Sequence, residues 1–141
     1  MVEDVVRFTF DVDGDDFSSA GAASVQMKKH LRQMGFSPEI IRRVAIAMYE
    51  GEINMVIHAD GGVVTVEVSD DNIVMILEDK GPGIPDVALA MQEGFSTAKE
   101  NIRSLGFGAG MGLPNMKKYT DTMKIETEVG KGTTVTMTVE V

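Results

Sequence analysis

The sequence predicts an α+β fold, a two-layer sandwich in which helices cover one face of a mixed, mostly antiparallel sheet. The first observation is the order of the predicted elements: strand, helix, helix, strand, strand, long loop, helix, strand and strand. The second is the short turns between consecutive strands, which favour hairpins. The third is size and composition: 141 residues, 43% hydrophobic and 25% charged, are typical of one globular domain, here residues 1–141.

The first strand and the first helix follow from the spacing of apolar residues. Apolar side chains alternate over residues 5–12, which is typical of a half-buried strand. Over residues 18–34, apolar residues recur at i, i+4 and i+7, which predicts a helix. Gly35 follows directly and is its expected C-terminal stop.

The second helix has the clearest beginning. Ser37 is a good N-cap, Pro38 suits the first helical position, and Glu39 complements the positive end of the helix dipole. The helix is predicted to extend to about residue 58. Gly51 lies inside it. Glycine there costs about 1 kcal/mol relative to alanine, and the sequence alone offers no reason for its presence.

The remaining elements are delimited by turns rich in Gly, Asp and Asn, such as Asp60-Gly61-Gly62 and Asp70-Asp71-Asn72. The other predicted strands lie at residues 63–69, 73–78, 123–128 and 133–141, and a third helix lies at 114–120. Residues 79–112 lose regular patterning and gather glycines. This segment is longer than an ordinary connection, which indicates a lid or a binding loop.

The charge balance restricts the classes of partner. The chain has 13 basic and 22 acidic residues, a formal net charge of −9. Nucleic-acid and membrane-surface binding are therefore not expected, because both depend on Lys and Arg. A small anion such as a nucleotide remains open, since a few local groups can hold it. The absence of cysteine excludes disulfides and cysteine nucleophiles, and the absence of a leader pattern at the N-terminus predicts a cytoplasmic protein.

The second predicted helix carries a candidate catalytic pair. Glu50 and Asn54 are four residues apart, so they share one helix face. A carboxylate beside an amide oxygen on a rigid helix can orient an attacking hydroxyl and ligate a magnesium ion. An exposed polar stripe is the alternative interpretation of the same pair.

A second candidate element begins where an apolar strand ends. Asp79 is followed by the run Lys80-Gly81-Pro82-Gly83-Ile84. A carboxylate in this position can accept a hydrogen bond from an exocyclic amine, and the glycines allow a flat ring to lie close to the backbone. An Asx-type turn that leaves the strand is the alternative.

Two further glycine-containing segments complete the pattern. Residues 106–113 (GFGAGMGL) lead into a predicted helix, where successive N–H groups can hold phosphate. A merely flexible loop is the alternative. Gly132-Thr133-Thr134 begins the last strand, where a threonine hydroxyl can contact the ring bound at Asp79 through a water molecule. The alternative is that these threonines are ordinary strand residues. Walker A and Rossmann spacings are absent.

In this fixed order, the four elements resemble the N, G1, G2 and G3 boxes of the GHKL superfamily, which includes gyrase, Hsp90, histidine kinases and MutL. The runs EDKGPGIPD, EGFSTAKENIRS, GAGMGLPNMKKYTD and GKGTTVT are most similar to the small anti-sigma and stressosome switch serine/threonine kinases of the RsbT, RsbW and SpoIIAB type, above all to the RsbT branch. The resemblance covers nearly the whole chain and implies the Bergerat ATP-binding fold.

The resemblance also implies a role for each candidate residue. Glu50 is the expected general base, Asn54 the magnesium ligand, and Asp79 the carboxylate that recognises adenine. Arg103 or Lys99 is expected to offset charge on the γ-phosphate. The residues expected to surround ATP are Asn54, Asp79, Gly81, Gly83, Ile84, Gly108, Gly110, Met111, Gly112, Leu113 and Thr133.

The implied activity is transfer of the ATP γ-phosphate, with Mg²⁺, to a serine or threonine of a STAS-domain antagonist protein in a partner-switching pathway. The alternative is a non-catalytic switch, in which nucleotide orders the lid and the module binds a sigma factor or activates a PP2C-type phosphatase. Family members can dimerise through the sheet, so the resemblance also leaves a homodimer open.

Overall fold

The structure is a computed structural model that describes residues 5–14, 21–59, 61–84, 87, 91 and 112–141. Its elements are β1 (Val6–Asp13), α1 (Ala22–Gln33), α2 (Pro38–Ala59), β2 (Gly61–Val68), β3 (Asn72–Asp79), α3 (Gly112–Lys118), β4 (Thr122–Glu128) and β5 (Gly132–Glu140). Within these ranges, no helix is both long and apolar enough to cross a membrane.

The five strands form one sheet in the order β1-β2-β3-β5-β4. All four pairings of these strands are antiparallel. The predicted α+β sandwich is confirmed, and its described sheet is simpler than the mixed sheet expected. The reason is that tight turns reverse the chain between β2 and β3 and between β4 and β5, while the helix pair α1–α2 returns it from β1 to β2.

One face of the sheet is buried beneath the helices. Along β2, β3 and β5, buried residues alternate with partly exposed ones, as the two-residue period of a strand requires. The buried side chains on these strands include Val64, Val66, Val68, Ile73, Met75, Leu77, Val135, Met137 and Val139. The helices cover them with Met27 and Leu31 from α1 and Val44 and Met48 from α2. The candidate residues of α2 therefore lie on a helix that packs against this core.

The helix boundaries follow from the predicted caps. The Oγ of Ser37 accepts a hydrogen bond from the backbone N–H of Ile40 at 3.3 Å, so Ser37 is the N-cap of α2. At the end of α1, Gly35 has a φ of 85°. The N–H groups of Gly35 and Phe36 donate to the carbonyls of Arg32 and Leu31, at 3.1 and 3.2 Å. This is a Schellman motif, and its left-handed position favours glycine.

Gly51 is explained by the packing of α2 on the sheet. A Cβ built at this position would overlap Leu77 Cδ2 and would lie 3.5 Å from Met116 Cε. Leu77 and Met116 are both buried, so a Cβ at Gly51 would require at least the Leu77 side chain to shift within the core. Glycine therefore lets the middle of α2 approach β3 and α3 more closely than any other residue would.

Replacing Gly51 with Ala is expected to destabilise the fold, although alanine is the better helix former. The gain in helix propensity is about 1 kcal/mol, whereas overpacking a core typically costs about 1–3 kcal/mol. We expect a lower urea midpoint with an unchanged m-value. Ala45→Gly, the reverse change at a half-buried position on the same helix, is the control, and it is expected to destabilise the protein through its lower helix propensity. A Gly51→Ala protein more stable than wild type would contradict this account.

Candidate functional site

Glu50 lies on the side of α2 that contacts α3. Its Oε1 accepts a hydrogen bond from Asn115 Nδ2 at 3.4 Å, and both side chains are half-buried. Burial raises the pKa of the Glu50 carboxyl above its ordinary value of 4.5, and the Asn115 hydrogen bond offsets part of that rise. A carboxylate that is held in place and partly desolvated is suited to accept a proton from a hydroxyl.

Asn54 follows Glu50 by about one turn on the same face of α2. Its Nδ2 points towards Met116 Sδ at 3.9 Å, and its Oδ1 accepts no hydrogen bond from the residues that the structure describes. This oxygen suits a hard cation such as Mg²⁺. In the described ranges no three His, Cys, Asp or Glu side chains form a cluster that could hold a metal. A magnesium ion at Asn54 would therefore need further oxygen ligands, such as nucleotide phosphates.

Asp79 ends β3 with one carboxylate oxygen occupied and the other open. Oδ1 accepts hydrogen bonds from the backbone N–H of Gly81 at 2.9 Å and from that of Thr133 at 3.2 Å. Oδ2 receives no hydrogen bond from the described part of the chain. The Asx-type turn, the alternative interpretation of this segment, is therefore present, and it fixes the side chain without using the second acceptor oxygen.

The segment after Asp79 packs closely on its neighbours. A Cβ at Gly81 would lie 2.6 Å from Ala59 Cβ, at the end of α2. Gly83 has a φ of 80°, and a Cβ there would lie 2.6 Å from the carbonyl oxygen of Glu128. Both positions require glycine for packing within the protein itself. This reason was not apparent from the sequence and is separate from any contact with a ring.

Contacts between elements link those that carry the described candidate residues: the end of α2 lies against the loop after β3, β5 bonds Asp79, and α3 bonds Glu50. The second half of α2 supplies Glu50 and Asn54, and the end of β3 with its following loop supplies Asp79, Gly81, Gly83 and Ile84. The start of α3 supplies Gly112 and the buried Leu113, and β5 supplies the buried Thr133. Lys99, Arg103, Gly108, Gly110 and Met111 lie outside the described residues, and their roles stay predictions.

Sequence reasoning missed two polar residues that bond candidate residues, Asn115 and Thr127, and a third, Glu52, that lies two positions after Glu50 on α2. Glu52 is 2% exposed, and its carboxylate accepts hydrogen bonds from the N–H groups of Gly21, Ala23 and Ser24 at 3.1, 3.2 and 2.7 Å. The spacing of apolar residues along α2 could have predicted that Glu52 is buried. Glu52 falls four residues after Met48, on the apolar face of α2. Asn115 and Thr127 gave no such signal, because each is an ordinary polar residue in its element.

A family model matches most of the chain. Residues 39–141 match the HATPase_c model, described as histidine kinase-, DNA gyrase B- and HSP90-like ATPase. The serine/threonine-protein kinase RsbT of Bacillus subtilis is 32% identical over 108 residues, which are 74% of this chain and 75% of that protein. An anti-sigma F factor of Caldanaerobacter subterraneus subsp. tengcongensis is 37% identical over 105 residues, 71% of this chain and 70% of the relative.

Solved structures support the fold. The RsbU and RsbW domains of Rv1364c from Mycobacterium tuberculosis match with a TM-score of 0.65 and 19% identity, covering 95% of this chain and 32% of that longer chain. The mycobacterial sensor histidine kinase MprB matches with a TM-score of 0.54 and 16% identity, covering 96% of this chain and 97% of that one. The resemblance inferred from the four boxes is confirmed. The chain belongs to the histidine kinase-, DNA gyrase B- and HSP90-like ATPase family, within the group that contains RsbT and the anti-sigma F factors.

Proposed function

We propose that this protein binds ATP with Mg²⁺ and transfers the γ-phosphate to a serine or threonine of a STAS-domain partner. The observation that carries the proposal is the arrangement on α2. There, a carboxylate that bonds Asn115 lies one helical turn from an amide oxygen that accepts no hydrogen bond from the described part of the chain. A proton acceptor and a cation ligand are two of the groups that phosphate transfer to a hydroxyl needs from the protein.

In the proposed reaction the partner's hydroxyl oxygen forms a bond to the γ-phosphorus as the bond from that phosphorus to ADP breaks. The hydroxyl proton passes to the Glu50 carboxylate. Asn54 would hold Mg²⁺, which when bound neutralises charge on the phosphates. Asp79 Oδ2 would accept a hydrogen bond from the adenine amino group, and Gly108, Gly110 and Gly112 would surround the phosphates. Arg103 or Lys99 would offset charge on the γ-phosphate.

Replacing Asp79 with Asn is expected to weaken ATP binding by about 1.5–3 kcal/mol, the contribution of a hydrogen bond to a charged group. The amide oxygen can keep the bonds from Gly81 and Thr133, which leaves the amide nitrogen facing the adenine amine, donor against donor. Isothermal titration calorimetry measures the change. Glu78→Gln, at the neighbouring exposed position, is the matched control. Unchanged affinity in Asp79→Asn would contradict the adenine contact.

The transfer itself is tested with γ-labelled ATP and a STAS-domain protein encoded near this gene. Label on the partner in wild type, and its loss in Glu50→Gln, supports the kinase function. Nucleotide binding without transfer to any such partner would overturn it in favour of a nucleotide-dependent switch. The similarity to proteins named anti-sigma F factor gives that second function its support. In that case the partner would be a sigma factor or a PP2C-type phosphatase.

A further inference from the structure

Thr127, on β4, connects two parts of the proposed adenine pocket. Its Oγ1 accepts a hydrogen bond from the backbone N–H of Ile84 at 2.8 Å, in the loop that follows Asp79. The same atom lies 2.9 Å from Thr133 Oγ1 and 3.2 Å from the carbonyl oxygen of Gly132. The loop is tied to the β4–β5 hairpin a second time, because the N–H of Gly130 donates to the Pro82 carbonyl at 2.8 Å.

The number of protons determines the direction of these hydrogen bonds. A threonine hydroxyl has one proton to donate and two lone pairs to accept. Thr127 can satisfy the Gly132 carbonyl only by donating its own proton, because a carbonyl donates none. The contact with Thr133 then forms only if Thr133 donates to Thr127. In the arrangement that makes all three bonds, the Thr133 hydroxyl donates its only proton to Thr127 and keeps both lone pairs as acceptors.

We infer that Thr127 is a positioning residue for nucleotide selectivity, because it fixes the Thr133 hydroxyl as an acceptor beside Asp79. The backbone N–H of Thr133 bonds Asp79 Oδ1 at 3.2 Å, so the hydroxyl belongs to the same corner of the sheet as the proposed adenine carboxylate. Adenine presents an amino group there, whereas guanine presents a carbonyl oxygen. An acceptor-only hydroxyl favours the amino group, directly or through a water that donates to it. The inference rests on the adenine role proposed for Asp79.

The test compares affinities for the non-hydrolysable β,γ-imido analogues of ATP and GTP. Wild type is expected to prefer the ATP analogue. In Thr127→Val the hydroxyl of Thr133 loses its acceptor and becomes free to donate, so the preference is expected to fall by about tenfold. Thr127→Ser keeps the hydroxyl and is expected to retain the preference. Thr136→Val makes the same substitution at a partly exposed position on β5 and should also retain it.

The ratio of the two affinities separates this role from a merely structural one. If Thr127→Val lowers the affinity for both analogues equally, or changes only the melting temperature, the inference is overturned while the proposed function stands. If wild type binds neither analogue, both are overturned. Thr127→Ala replaces the Val variant if circular dichroism shows that the latter is unfolded, with the same expected fall in preference.

Discussion

Replacing Glu50 with Gln is expected to slow phosphate transfer by about 10²–10⁴-fold, the usual contribution of a general base. The amide has nearly the shape of the carboxylate, and its oxygen can still accept from Asn115. It cannot take the hydroxyl proton. Affinity for ATP is expected to remain within about twofold, because the loss is confined to the transition state. Single-turnover transfer of label measures the rate, and calorimetry measures the affinity.

The pH dependence of the transfer rate gives a second test of the role of Glu50. Burial raises the pKa of Glu50 above 4.5, and the protonated carboxyl accepts no further proton. The wild-type transfer rate is therefore expected to fall as pH decreases through this raised pKa, and the residual Glu50→Gln rate should lack that step. Glu39→Gln, an exposed change in the first turn of α2, is the control. A Glu50→Gln rate close to wild type would exclude Glu50 as the base.

Replacing Glu52 with Ala is expected to lower the free energy of unfolding by about 3–5 kcal/mol. The carboxylate satisfies three backbone N–H groups at the start of α1, from Gly21, Ala23 and Ser24, and the alanine side chain satisfies none. The substitution also leaves a cavity, since Glu52 is among the largest fully buried side chains. Urea denaturation measures the loss. Glu39→Ala should change stability by no more than about 0.5 kcal/mol.

Glu52→Gln separates the effect of the Glu52 charge on stability from the effect of its side-chain shape. Burial raises the pKa of Glu52 above 4.5, more than its hydrogen bonds lower it. A carboxyl with a raised folded-state pKa contributes stability that is fully present below pH 4.5 and is lost as pH rises through the raised value. The stability of Glu52→Gln should lack this pH dependence. If Glu52→Ala proved as stable as Glu39→Ala at neutral pH, the three hydrogen bonds would be shown to contribute little.

Local elements could be predicted because their causes are local. The Ser37 cap, the Gly35 stop and the turn at residues 70–72 each depend on residues a few positions apart. The position of β5 between β3 and β4 could not be predicted, because it depends on pairing across the long segment after Asp79. Strand order is set by long-range packing, which spacing along the chain does not encode.

The residues of the candidate site also divide into those that a local pattern identifies and those that depend on contacts distant in sequence. Glu50, Asn54 and Asp79 were identified because each lies in a recognisable box on one element. Asn115 was not identified, because it lies 65 positions from Glu50 along the chain. Thr133 was a candidate, but its backbone hydrogen bond to Asp79, 54 positions away, was not foreseen. Glu52 is an exception, because its burial could have been predicted although its hydrogen-bond partners are distant in sequence. Its place on the apolar stripe of α2 predicts burial, and a buried carboxylate requires donors, which the start of α1 provides.

Three consecutive residues of α2 contact three different elements: Glu50 bonds α3, Gly51 fits against β3, and Glu52 holds the start of α1. An α-helix turns by about 100° per residue. Inserting or deleting one residue before this tripeptide would therefore swing all three away from their partners at once. Length variation among natural relatives should consequently be excluded from this stretch, and a designer who wishes to lengthen the molecule should place the addition elsewhere.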